Sequence, residues 1–181
     1  MVKVGFIVEG DSEEIILKSQ KFRSYLNSKN ISFVEVIANV KGGGNLLPHK
    51  LLEYSNFLKE EGATHFIILT DLENSPTIEE VKLRIKAPEN HILVVSVKAI
   101  EAWYLADSLM LTNIFKRKYK YELPEKTPGM PLDTLREEFK TYTGRGFSGS
   151  KPRLAMRMIN EGFQIENAAN HENCPSAKDF M

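Results

Sequence analysis

The chain has 181 residues, 42% hydrophobic and 27% charged, the make-up of a globular protein and not of a disordered or fibrous one. Lys plus Arg and Asp plus Glu both number 24, so coating nucleic acid by bulk charge is excluded, while a local basic patch is not. The single cysteine, Cys174, offers neither an internal disulfide nor a Cys-rich zinc centre, and no run approaches the roughly eighteen apolar residues of a membrane span. A soluble cytoplasmic chain without membrane association is expected.

The N-terminal part alternates apolar runs with helix-like segments. Val2 to Val8 reads as a buried strand, and Asp11 to Ser28 as a helix opened by a capping box of Asp11 and Glu14. Phe33 to Ala38 is the second expected strand. The loop Lys41-Gly42-Gly43-Gly44-Asn45 follows, then a helix from Leu46 to Glu61 stopped by Gly62. Thr64 to Thr70 is the third strand. Ser75 and Pro76 predict a helix start that runs to about Lys86. His91 to Val97 is the fourth strand, and a long helix is expected from Ala99 to Phe115.

This order predicts an α/β fold, a mostly parallel sheet of about four strands with helices on both faces. Residues 1–115 would form that core. Residues 116–181 read as an irregular and helical extension of the same domain. Pro124, Pro128 and Pro131 break it up, a short helix is expected at Leu132 to Tyr142, and a last one at Ser150 to Gly162.

Ligands of open α/β sheets lie beyond the carboxyl ends of the strands. Glu9-Gly10-Asp11 follows the first strand and Asp71-Leu72-Glu73 the third. Lys98 and then Glu101 follow the fourth. Asp11 and Glu14 are accounted for by capping. Glu9 and Asp71 end buried strands, and Gly10 permits a close approach of backbone to ligand. Together the acids point to a divalent cation held by oxygen, as Mg²⁺ prefers. His49, His65, His91 and His171 are scattered and suggest no zinc site or triad.

Phe6-Ile7-Val8-Glu9-Gly10-Asp11-Ser12-Glu13, followed by Thr70-Asp71-Leu72-Glu73, resembles the TOPRIM domain of topoisomerases, bacterial primases and OLD-family nucleases. The stretch from Lys98 to Asp107 and the ending Cys174-Pro175-Ser176 resemble a small group of bacterial TOPRIM-like proteins. The resemblance implies that Glu9 is a metal ligand or general acid/base. It implies that Asp71 is the first acid of an Asp-x-Asp pair, and that Glu73 stands in place of the second Asp. Glu101 and Asp107 match further acids of the small group.

Lys140 to Arg157 contains Lys140, Arg145, Lys151, Arg153 and Arg157 without an acid, and Lys116 to Tyr121 interleaves basic residues with tyrosines. Such stretches neutralise phosphates and stack on unpaired bases. Lys41 and Gly43, in a loop before a helix, form a weaker anion-binding candidate.

The resulting expectation is a nuclease that hydrolyses nucleic-acid phosphodiesters with Mg²⁺ or Mn²⁺. Glu9, Asp71 and Glu73 would hold the metal, with Glu101 and Asp107 as further ligands, and Lys98, Lys151 or Arg153 would bind phosphate. The alternative is a non-catalytic module that works with a separate ATPase subunit. A receiver-like switch ranks third.

Overall fold

A computed structural model describes residues 2–181. The chain divides into two compact units, one up to Val95 and one from Ser96 to Met181. Among the described residues no helix is long and apolar enough to cross a membrane.

The first unit is built on a five-stranded parallel sheet. Its strands are β1 (Val2–Val8), β2 (Ile31–Phe33), β3 (Ala38–Asn39), β4 (His65–Asp71) and β5 (His91–Ser96). Strand β1 lies between β4 on one side and β2 and β3 on the other. The single second strand expected from Phe33 to Ala38 is therefore two short pieces, both parallel to β1. Between them the chain leaves the ladder. Glu35 points outward there and takes two hydrogen bonds from the Arg23 guanidinium, at 2.8 and 2.7 Å.

The helices of this unit are α1 (Asp11–Leu17), α2 (Gln20–Ser28), α3 (Pro48–Glu60) and α4 (Ile78–Ile85). The one helix expected over 11–28 breaks because Ser19 starts a new one, its hydroxyl accepting from the Phe22 N–H at 3.3 Å. The expected capping box is absent, since Gly10 is the N-cap of α1 and offers no side chain. The start expected at Ser75-Pro76 also moves, because the Thr77 hydroxyl caps Glu80 N–H at 3.2 Å.

Alternation along β1 sorts its side chains onto two faces. Phe6 meets Phe22 and Phe33 edge-on, with centroids 5.9 and 5.8 Å away. Ile7 joins Leu46, Leu51, Leu58, Ile68 and Val81 in a buried apolar cluster with residues of α3 and α4. Gly5 sits on that second face because a Cβ there would come within 3.0 Å of Ala63 Cβ. Glu9, two residues beyond Ile7, continues the same face at the strand end.

The second unit contains α5 (Glu101–Ala106), α6 (Ser108–Phe115), α7 (Pro131–Thr143), α8 (Lys151–Asn160), α9 (Ile165–Ala169) and α10 (Pro175–Phe180). The long helix expected over 99–115 is interrupted at Asp107, whose carboxylate accepts from the Met110 N–H at 2.9 Å and caps α6. The extension is more regular than expected. Besides these helices it has a 3₁₀ turn at Pro124–Lys126. Trp103, Tyr104, Phe139 and Phe163 are its largest fully buried side chains.

Candidate functional site

Parallel pairing of β1 with β4 matches Val8 to Leu69, so the next step along both strands sets Glu9 beside Thr70. Glu9 N–H donates to the Leu69 carbonyl at 3.2 Å, holding the backbone in register. The side chain is held as well. Glu9 Oε2 accepts from Thr70 Oγ1 at 2.5 Å and from the Asp71 N–H at 3.1 Å. A carboxylate that receives two donors on one oxygen has a defined orientation.

The other neighbour of β1 supplies the glycine loop. Val8 pairs with Asn39, and Gly42 N–H donates to the Glu9 carbonyl at 2.8 Å. Gly42 has φ +122°, a conformation that favours glycine. A Cβ on Gly43 would fall 2.9 Å from Glu9 Oε2, so the carboxylate occupies the room that any side chain there would need. Gly44, next along, has open space around its Cβ position.

A cavity of about 360 Å³ opens at these strand ends, lined among others by Glu9, Gly43, Asp71, Glu73 and Arg84. Asp71 is buried and Glu73 exposed, the latter at a backbone φ of +49°. Glu9, Asp71, Glu73 and Gly43, all expected from the sequence, are thus brought together on one wall. Among the described residues no three His, Cys, Asp or Glu side chains converge as a metal-holding group. The fit for a divalent cation rests on two observations. Three carboxylates, those of Glu9, Asp71 and Glu73, line the cavity beside the neutral oxygens of Asn74 and Ser75, and neither His nor Cys is among its lining residues. Such a set suits Mg²⁺, which keeps several waters and takes one or two carboxylates plus phosphate oxygens.

Lys41, expected as an anion-binding residue, is engaged elsewhere. Its ammonium pairs with Asp11 Oδ1, and Asn39 Nδ2 donates to the same oxygen at 2.7 Å and to Glu14 Oε2 at 2.8 Å. The Lys41 hydrogen bond and then Asn39 hold the Asp11 carboxyl below its ordinary value, and Asp11 raises Lys41 in return. Asp11 is therefore part of a surface network and not a helix cap.

The remaining predicted residues belong to the second unit. Lys98 has φ +63° and donates to the Thr127 carbonyl, the Thr127 hydroxyl (3.3 Å) and the Gly129 carbonyl (2.9 Å). Those three acceptors match the three N–H groups of an ammonium, so Lys98 tethers a loop. Asp107 is fully buried. Besides capping α6 it accepts from Gln164 N–H at 3.0 Å and Asn167 Nδ2 at 3.1 Å, so its oxygens serve the fold. Glu101 is 1% exposed, with Oε1 3.5 Å from Lys151 Nζ and Oε2 buried without a hydrogen-bond partner among the described residues.

Arg145, Lys151 and Arg153 are exposed. Arg157 is half-buried, its guanidinium 4.6 Å from the Phe139 ring centroid and 5.9 Å from that of Phe147. Tyr119 lies between Thr112 and Glu138. Burial and its 2.5 Å bond to Glu138 push its phenol far up, which makes it a poor nucleophile. Burial, then the charge of Glu125, push the Cys174 thiol up as well, so it is inert.

Sequence reasoning passed over two residues. Glu13 is buried, with Oε2 3.3 Å from where a Cβ on Gly10 would sit, so that glycine makes room for a carboxylate. Arg84 is a surface cation of α4 in the sequence, with only helical spacing to mark it. It reaches the cavity because its Nη1 donates to the Gly43 carbonyl at 3.1 Å.

No protein-family model matches the chain, and no curated protein matches it. Among solved structures it is similar to the C-terminal region of the Burkholderia pseudomallei OLD protein, with 13% sequence identity and a TM-score of 0.45, over 99% of this chain and 96% of that one.

Proposed function

We propose that the protein is a divalent-metal-dependent phosphodiesterase acting on nucleic acid, with its reaction centre in the cavity of Glu9 and Asp71. The observation that carries the reading is the tethered Glu9 carboxylate. It is oriented by Thr70 and by the Asp71 amide, and it shares a cavity with a second, buried carboxylate.

Glu9 and Asp71 would hold Mg²⁺ or Mn²⁺, with Glu73 at the rim. When bound, the ion neutralises phosphate charge and provides an acidified water. Glu9 Oε2 is fixed by its two donors, and this keeps the carboxylate aimed without reorganisation during the reaction. With both donors on Oε2, Oε1 is left to hold a cation or accept a proton. Thr70 serves as the orienting group. Gly43 keeps the loop close without displacing the carboxylate. On the second unit, the exposed side chains of Arg145, Lys151 and Arg153 suit contact with the sugar-phosphate backbone.

The test is a cleavage panel. Single- and double-stranded DNA and RNA are incubated with Mg²⁺, Mn²⁺ or EDTA, using wild type, Glu9→Gln, Asp71→Asn and Glu101→Gln. Metal-dependent cleavage that Glu9→Gln and Asp71→Asn abolish supports the reading and names the substrate. Cleavage that survives both substitutions refutes it. No cleavage of any substrate favours a non-catalytic, partner-binding module.

A further inference from the structure

A cavity walled by carboxylates repels a phosphodiester unless a cation offsets them. The sequence offers several cations for that task, and the structure removes two. Lys41 is paired with Asp11, and Lys98 is used up on Thr127 and Gly129. Arg84 stands differently. It lines the cavity together with Glu9, Asp71 and Glu73, yet among the described residues it forms no ion pair. Its Nη1 spends one N–H on the Gly43 carbonyl at 3.1 Å. A guanidinium carries five donors in a planar fork, so four remain. The bond to Gly43 also fixes where the fork stands, because Gly43 is the residue whose Cβ position the Glu9 carboxylate fills. Arg84, Gly43 and Glu9 thus form a chain of contacts along the cavity lining.

A cation in the last turn of α4 is favoured by the helix dipole alone. The dipole explains neither the anchoring of Arg84 to the glycine loop nor its lack of a carboxylate partner in a cavity lined with carboxylates. We infer that Arg84 is the phosphate-holding residue of the Glu9–Asp71 cavity, binding a non-bridging phosphate oxygen pair through the guanidinium edge that Gly43 leaves open. The inference rests on the reading of that cavity as a phosphodiester site, and it adds the anion subsite. A planar fork matches two phosphate oxygens, which a lysine at the same place would meet only as a point charge.

Two binding measurements test it without relying on turnover. Inorganic phosphate binding is measured by equilibrium dialysis with and without Mg²⁺, and the Mg²⁺-induced rise in melting temperature is measured separately. Wild type, Arg84→Ala, Arg84→Lys and Glu9→Gln are compared on the full chain. Arg84 is exposed, so its truncation opens no core. Arg84→Ala is expected to weaken phosphate binding by about tenfold or more while leaving the Mg²⁺ response intact. Arg84→Lys should recover part of that loss. Glu9→Gln is expected to lose the Mg²⁺ response but keep metal-free phosphate binding. Phosphate binding by Arg84→Ala at wild-type strength, or none by wild type, overturns the inference. An Mg²⁺ response that Glu9→Gln leaves unchanged, with phosphate binding still lost in Arg84→Ala, defeats the metal reading alone and leaves Arg84 as an anion site.

Discussion

The backbone N–H of Asp71 donates to Glu9 Oε2 at 3.1 Å, so the strand that carries one cavity carboxylate also aims the other. The second donor to that oxygen is the Thr70 hydroxyl, from a fully buried residue. Thr70→Val keeps the β-branched shape of β4 and removes only the donor. A hydrogen bond to a charged group contributes about 1.5–3 kcal/mol, so cleavage and Mn²⁺ affinity should each fall about tenfold or more. Steady-state kinetics and metal titration check this. Unchanged values for both would mean that the hydroxyl does not orient Glu9.

Two adjacent glycines make a paired test. Gly43→Ala puts a methyl 2.9 Å from Glu9 Oε2, and the carboxylate or the loop must shift. Gly44→Ala meets open space. Metal binding should drop in the first variant and stay near wild type in the second, both remaining folded by circular dichroism. Equal behaviour of the two would contradict the tight packing of the loop on Glu9.

Ser176 is the hub of the C-terminal ending. Its hydroxyl donates to buried Glu125 Oε1 at 2.6 Å and accepts from Trp103 Nε1 at 2.8 Å, and its N–H reaches the same Glu125 oxygen at 2.9 Å. Ser176→Ala strands the indole N–H and weakens the hold on a buried carboxylate, a cost of about 2–4 kcal/mol. Urea unfolding should show that loss, with Mg²⁺ binding at the Glu9 cavity retained. A loss under about 0.5 kcal/mol would place the network outside the energetics of the fold.

Burial lowers both His91 and His171 below the ordinary 6.5. The unfolded chain therefore binds more protons than the native one in the window just under 6.5. Stability should be full above that value and decline as the pH falls through it. Asp11, held low by Lys41, adds a separate loss that begins only near its ordinary 3.8. His91→Asn should flatten the upper part of the profile, read from melting temperatures between about pH 7 and 5. An unchanged slope in that variant would exclude His91 as a source of the pH dependence.

Arg145→Glu and Arg153→Glu should each weaken nucleic-acid binding. Each should also lower the salt dependence by about one unit of slope for every phosphate that is no longer neutralised. Fluorescence anisotropy over a salt series measures both. Arg157→Ala should differ by also losing about 1 kcal/mol of stability, since its guanidinium rests on Phe139. Salt slopes equal to wild type in the two reversals would place nucleic acid elsewhere.

Continuous apolar runs at Val2 to Val8 and Thr64 to Thr70 made the parallel sheet legible, because strands buried on both faces need no polar alternation. The same runs marked Glu9 and Asp71, acids at the ends of these strands. Helix limits were less legible, because one hydroxyl at Ser19 or one carboxylate at Asp107 decides a break that periodicity does not reveal. The roles of the cations were not legible at all. Lys41, Lys98 and Arg84 look alike as letters, and their partners lie about thirty or more residues away: Asp11, Thr127 and Gly43. Sequence by itself determined the sheet and the acids at its strand ends, through local hydrophobic pattern. Only the tertiary structure decided which charges are spent on the fold and which face the cavity, because pairing depends on distances that chain order does not encode.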